Sequence, residues 1–152
     1  MPPLLRPYEP ADFETLYAID RACYPSWIAY SRRDLREFLE GAGADCLVAQ
    51  AGAAAGDEIL GFLIAEAEGA EGHIVTLDVI ESERRTRIGT ALLAEMEKRL
   101  VIGGVRRVVL ETATSNVAGI AFWQRHGYRT FSVVDGYYAG RVGAYQMDKI
   151  LA

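Results

Sequence analysis

Residues Thr76 to Leu100 read TLDVIESERRTRIGTALLAEMEKRL, and the way this stretch resolves decides the fold. It begins as a strand, turns through a polar run holding Arg84, Arg85 and Arg87, and continues as a helix. Ile88, Leu92, Met96 and Leu100 recur at helical spacing with Ala91 beside them, so one face of that helix is apolar. Three cations at a helix N-terminus oppose the macrodipole, whose positive end favours anions. The arrangement makes sense if an anion belongs there. Gly89, on the first turn, lets a ligand approach the free backbone N–H groups. A phosphate or pyrophosphate held by backbone amides and flanked by arginine is the simplest partner.

The chain has 152 residues, 51% hydrophobic and 24% charged, which predicts one globular domain over residues 1–152 with a real core. A net charge of −5 argues against a nucleic-acid partner bound through a general positive field, so the arginines are a local device on an acidic protein. Cys23 and Cys46 stand far apart without a CxxC spacing; they suggest neither a disulfide framework nor a metal site, and fit a reducing compartment. The opening residues MPPLLRPYEPADF lack the apolar core of a signal peptide, and no apolar run reaches membrane-spanning length. A soluble, cytoplasmic protein with no membrane partner is expected, as a monomer or homodimer.

Around the central stretch, Leu4 to Tyr8 reads as a short strand, and Asp12 as the cap of a helix carrying Phe13, Leu16, Tyr17 and Ile19. Tyr24-Pro25-Ser26 breaks that helix, and Ser31 with Asp34 starts a second one, bearing Leu35, Phe38 and Leu39 and ending near Gly41. The segment between them, CYPSWIAYS, is rich in aromatics that either fill the core or line a groove for a substrate. Strands are expected over Cys46 to Ala51, Ile59 to Ala67 and Gly72 to Ile80 before the long helix, which Gly103-Gly104 ends. Val105 to Ala113 follows as a β-branched strand, Asn116 caps a helix running to His126-Gly127, and Tyr128 to Val134 and Val142 to Leu151 close the sheet. Asp135-Gly136 and the pair Tyr137-Tyr138 are expected between the last two strands. The order predicts an α/β fold: a mixed sheet covered on both faces.

With the arginine–glycine turn set between a strand and a helix, the chain resembles the Gcn5-related N-acetyltransferase superfamily. That family's R/Q-x-x-G-x-G/A signature is met by Arg84-Arg85-Thr86-Arg87-Ile88-Gly89, with Arg87 where the first glycine is common. The resemblance runs nearly end to end. It implies a mostly antiparallel sheet of six to seven strands with a central, splayed parallel pair and about four helices on its two faces. Three segments are similar to the branch that acetylates protein N-termini, including the bacterial ribosomal-protein alanine acetyltransferases: SNVAGIAFWQRHGY, the Tyr137-Tyr138 pair, and Ala144-x-x-Met147. The CYPSW segment resembles that branch's loop between its first two helices.

The resemblance implies acetyl-CoA as co-substrate and no metal. The backbone of Leu77, Asp78 and Val79 would line the pantetheine and offer an N–H to the thioester carbonyl; splayed strands leave unpaired backbone groups that a peptide-like ligand completes. Arg84, Arg85, Thr86, Arg87, Ile88, Gly89 and Thr90 would hold the pyrophosphate, and Asn116 would add a cofactor contact. Glu111 stands where the ribosomal-protein enzymes carry a glutamate proposed as general base, and a carboxylate within VVLETAT fits a wet cleft. His73 is the alternative base, relaying the amine's proton near physiological pH. The family's leaving-group tyrosine falls on Trp123 at the cofactor. Indole is no useful acid, so water or another tyrosine (Tyr128, Tyr137 or Tyr138) would protonate the thiolate, unless a thiol of pKa about 8.5 leaves unaided. Trp27, Tyr137 and Tyr138 would bind the acceptor. The expected reaction is direct attack by a protein or peptide α-amine in a ternary complex. The alternatives are a small-molecule amine acceptor (polyamine, amino acid or aminoglycoside) and a catalytically weak acetyl-CoA-binding module.

Overall fold

The computed structural model describes residues 3–151. Seven strands form one sheet in the order β1-β2-β3-β4-β5-β7-β6. In chain order the elements are β1 (Leu4–Pro7), α1 (Phe13–Cys23), α2 (Arg32–Glu40), β2 (Ala44–Gln50), β3 (Ile59–Glu68), β4 (Glu71–Val79), α3 (Ile88–Ile102), β5 (Arg107–Ala113), α4 (Val117–Arg125), β6 (Arg129–Tyr138) and β7 (Val142–Ile150). Neighbouring strands are antiparallel except β4 and β5, as expected.

The helices divide the core into two layers. The apolar stripe of α3 (Ile88, Leu92, Met96, Leu100) packs with Trp123, Tyr128, Val108 and Leu110 on one face of the sheet. Phe13, Leu16 and Ile19 of α1 and Leu35 of α2 pack on the other face, against Val48, Phe62 and Ile64. Burying these side chains supplies the main drive for folding, about 1.5–3 kcal/mol for each large aliphatic or aromatic one. Two expected caps form. Ser31 Oγ accepts the N–H of Asp34 at 3.1 Å, and Asn116 Oδ1 accepts that of Gly119 at 3.0 Å. A side chain on Gly119 would collide with the Asn116 amide, its Cβ only 2.4 Å from Nδ2.

Two expectations are corrected. Asp12 does not cap α1 through its side chain. A short 3-10 turn (Pro10–Asp12) leads into the helix instead, and the carboxylate takes a bidentate pair from Arg6 at 2.8 and 2.9 Å. The last hairpin is tighter than expected: Tyr137 and Tyr138 belong to the end of β6, because a register irregularity between Val134 and Tyr138 absorbs Asp135-Gly136. The turn itself is Ala139-Gly140-Arg141, with Ala139 and Gly140 at φ 52° and 71°.

The feature that makes a site is the short β4–β5 ladder. Only Glu71/Arg107, Gly72/Val108 and His73/Val109 pair, and beyond them the strands separate. A second irregularity, where Ala65 pairs with Ile74 but Ile64 with Thr76, leaves Val75 out of register with β3. The N–H of Ile80 donates to Leu60 on β3, so by strand alternation Thr76 and Asp78 turn their backbone to β3, while Val75, Leu77 and Val79 turn theirs to the open fork.

Candidate active site

The fork brings together the two residues expected as rival bases. His73 Nε2 lies 2.7 Å from Glu111 Oε1, where β4 and β5 begin to part. Glu66, directly across from His73 on β3, approaches Nδ1 at 3.6 Å. Glu66 carried no motif in the sequence; only the strand register reveals it. Burial disfavours the imidazolium, but the hydrogen bond and charge of Glu111, then those of Glu66, outweigh it and hold His73 above its ordinary pKa.

The α1–α2 connection and the β6–β7 hairpin form the rim. The Arg141 guanidinium stacks over the Trp27 ring at 5.4 Å, and Tyr137 and Tyr138 meet edge-on at 4.9 Å. Burial, then the charge and hydrogen bonding of Glu111, raise the pKa of Tyr137. Burial raises Tyr138 and Tyr30 further, so both remain neutral donors. Tyr30, unremarked in the sequence except as an aromatic, donates its hydroxyl to the Val75 carbonyl at 3.2 Å, and Tyr24 donates to that of Leu77 at 3.5 Å.

Leu77 and Val79 turn their backbone to the fork, but Asp78 does not. Its backbone faces β3, and its side chain is buried on the α1 side. Downstream, the arginine turn works mainly through its backbone. Arg85 and Arg87 adopt left-handed conformations, φ 71° and 72°. Arg87 is the N-cap of α3, and a left-handed residue followed by a helical one turns successive N–H groups toward a common point, an anion nest. The first helical bond runs from Ala91 N–H to the Arg87 carbonyl at 2.9 Å, leaving the N–H groups of Ile88, Gly89 and Thr90 without a helical acceptor. Gly89 is required in another way too: a Cβ there would lie 3.2 Å from the Phe122 ring. Thr90 Oγ1 is 3.1 Å from His126 Nε2, a histidine whose pKa is lowered by burial and by Arg125.

Arg84 is engaged within the chain. Its Nε donates to the Val79 carbonyl at 3.1 Å and its Nη2 to Cys23 Sγ at 3.4 Å, so the guanidinium bridges the end of β4 and α1. Trp123, at 8% exposure, packs in the core edge-on to Tyr128 at 5.3 Å. Tyr128, expected as a possible acid, is buried, and its hydroxyl donates to Glu97 at 2.8 Å, beneath α3.

Residues 13–128 match the model of the acetyltransferase (GNAT) family. The chain belongs to that family. An N-alpha-acetyltransferase of Sulfurisphaera tokodaii is 37% identical over 78 residues, covering 51% of this chain and 47% of the relative. The chain thus spans about half the length of the curated relatives it matches. Among solved structures, the ribosomal-protein-S18-alanine N-acetyltransferase of Escherichia coli superposes with a TM-score of 0.85 at 22% identity, covering 99% of this chain and 94% of that one. Arabidopsis thaliana NAA60 in complex with acetyl-CoA gives 0.84 at 24% identity, with 97% and 98% covered. These two likenesses are of fold. Within the GNAT pattern, Arg87 at the glycine position is now explained in part: the backbone adopts the left-handed conformation glycine takes without strain, at a cost of about 1–2 kcal/mol for a residue with a Cβ.

Proposed function

We propose that the chain is an acetyl-CoA-dependent N-acetyltransferase whose acceptor is the α-amine of a protein or peptide N-terminus. The observation that carries the proposal is the hydrogen-bonded Glu111–His73 pair at the opening of the β4–β5 fork, under a rim of Trp27, Tyr30, Tyr137 and Tyr138. The fork's open edge, where Leu77 and Val79 turn their backbone away from β3, suits a pantetheine arm, and the nest at Arg87–Thr90 suits a pyrophosphate. Those features fit acetyl-CoA as a substrate. The names of the archaeal relatives support the N-terminal acceptor.

In this chemistry Glu111 accepts the proton that the protonated amine must lose, and His73, donating to Glu111, orients the carboxylate. Glu66 beside Nδ1 offers the proton an exit to solvent. A backbone N–H on the open edge of β4 stabilises charge developing on the thioester oxygen as the C–N bond forms and the C–S bond breaks. Tyr137, kept neutral by burial and by the charge of Glu111, is the hydroxyl we assign to protonate the departing thiolate.

Steady-state thiol release from acetyl-CoA across a panel of peptides differing in their first residues, with spermidine and free amino acids alongside, tests the proposal. Turnover on peptides with their N-terminus free, abolished when it is blocked, supports it. Turnover on the small amines alone assigns the small-molecule alternative, and acetyl-CoA binding with no turnover on any amine assigns a binding module.

A further inference from the structure

On the α1 side of β4 lie two carboxyl groups that acyl transfer leaves unused. Asp20 of α1 is fully buried and Asp78 of β4 is 1% exposed. Each has one oxygen engaged: Asp20 Oδ2 accepts the backbone N–H of Tyr30 at 2.8 Å, and Asp78 Oδ1 accepts the Thr76 hydroxyl at 2.6 Å. The remaining oxygens, Asp20 Oδ1 and Asp78 Oδ2, are buried with no donor. Asp20 is the charged group whose hydrogen bond and charge act on Asp78; ionised together out of water, the two would repel strongly and leave both oxygens unsatisfied. One proton resolves both problems at once.

We infer that Asp78 holds a proton on Oδ2 and donates it to Asp20 Oδ1, and that this shared proton latches the α1–α2 segment onto the strand that forms one wall of the fork. Burial, then the hydrogen bond and charge of Asp20, hold the Asp78 carboxyl well above the usual carboxylate range, against the hydroxyls of Thr76 and Tyr24. The groups around the pair do not supply a competing cation. Cys23 of α1 is pushed up to about 11, mainly by burial and then by Asp78, and burial likewise raises Tyr24, Tyr30 and Cys46 of β2. Arg84 reaches only the edge of the group, at Cys23 Sγ.

The latch sits where positioning matters. Asp20 holds the backbone of Tyr30, Tyr30 and Tyr24 then meet the carbonyls of Val75 and Leu77 on the fork's open edge, and Trp27 lies between them in sequence. The segment expected to wall the acceptor is thereby fixed relative to the strand expected to hold the acyl donor. That last step rests on the acetyltransferase reading; the shared proton does not. Both residues are positioning groups, placed away from the reacting atoms.

The sign of the pH effect follows. A carboxyl held above its unfolded value binds a proton in the native chain that the unfolded chain has already released, so its contribution to stability is whole below the unfolded pKa, about 3.9, and is lost as pH rises through the folded one. Three measurements on the full chain test this. A 13C titration of the aspartate side-chain carboxyls should show one group still protonated after the others have ionised, well above the ordinary range. Protection of the Tyr30 amide from hydrogen exchange, taken relative to its intrinsic rate at each pH, should be high while that group is protonated and fall by about tenfold or more once it ionises. Asp20→Asn supplies an amide N–H in place of the shared proton, and should keep Tyr30 protected while abolishing the pH dependence. Asp20→Ala should expose Tyr30 at every pH and lower kcat/KM for the best peptide of the panel by about tenfold, with a smaller change in acetyl-CoA affinity. The inference is overturned if every aspartate titrates in the ordinary range, or if Asp20→Asn exchanges as quickly as the native chain at high pH. Should Asp20→Ala fail to fold, the titration and Asp20→Asn decide. If no amine is acetylated, the titration and exchange results still stand or fall alone.

Discussion

The turn ahead of α3 and the fork between β4 and β5 are joined by strand β4, yet they use different parts of the chain. The turn offers backbone. Its left-handed residues aim N–H groups at a common point, and one of its three arginines is spent on Cys23 and Val79. The fork offers side chains, Glu111 and His73 at 2.7 Å with Glu66 behind. A backbone site tolerates residue changes that preserve conformation, whereas a side-chain site fails with a single atom. Substitutions in the two regions should therefore differ in both size and kind.

The largest effect belongs to the fork. Glu111→Gln keeps the shape but removes the base, and kcat/KM in the thiol-release assay should fall by about 10²–10³-fold with acetyl-CoA affinity nearly unchanged. Full turnover in this variant would leave the fork with no chemical role. Next comes His73. Only as the neutral imidazole can it take on the proton that Glu111 receives from the amine, so activity should rise with pH through the raised His73 pKa. The stabilisation from this pairing runs the other way: it is whole below about pH 6.5, the unfolded imidazole's value, and is lost as pH rises through the folded one. His73→Gln should flatten both the rate profile and the corresponding part of denaturation midpoints measured against pH, at a cost in rate of about tenfold.

Effects at the turn should be smaller. Arg85→Ala with Arg87→Ala should weaken acetyl-CoA binding by about 1 kcal/mol, roughly fivefold, by calorimetry. Arg84→Ala should spare binding and cost stability instead; the reverse ranking would return Arg84 to the anion. The smallest change is a gain. Arg87→Gly relieves a left-handed residue but frees the unfolded chain, for a net stabilisation of about 0.5 kcal/mol in urea unfolding.

Much of the fold was legible because it follows from local rules. The stripe of Ile88, Leu92, Met96 and Leu100 is buried as its spacing requires, and the caps at Ser31 and Asn116 form. Asp12 misled because a long-range partner, Arg6, outcompeted the helix end. At the site, Glu111 and His73 were each visible, but as alternatives: no local pattern states that residues on different strands will share a hydrogen bond. Glu66 and the Asp20–Asp78 pair depend on register and strand alternation in the same way. The arginines were conspicuous through their charge, while the structure uses the backbone of two and ties the third to α1. Trp123 and Tyr128 are held by the core, a fact that motif position alone does not carry.

The shortness of the β4–β5 ladder has a consequence for the life of the chain. Three residue pairs are the shortest ladder in the sheet, so β1–β4 and β5–β7 are two half-sheets stapled at one end. A ligand lying in the fork would act as the missing strand and stabilise only the folded chain, by about 2.7 kcal/mol when its concentration is a hundred times its Kd. Resistance to proteolysis would then follow the supply of that ligand, so the quantity of intact protein, as well as its rate, would register the acyl-donor pool.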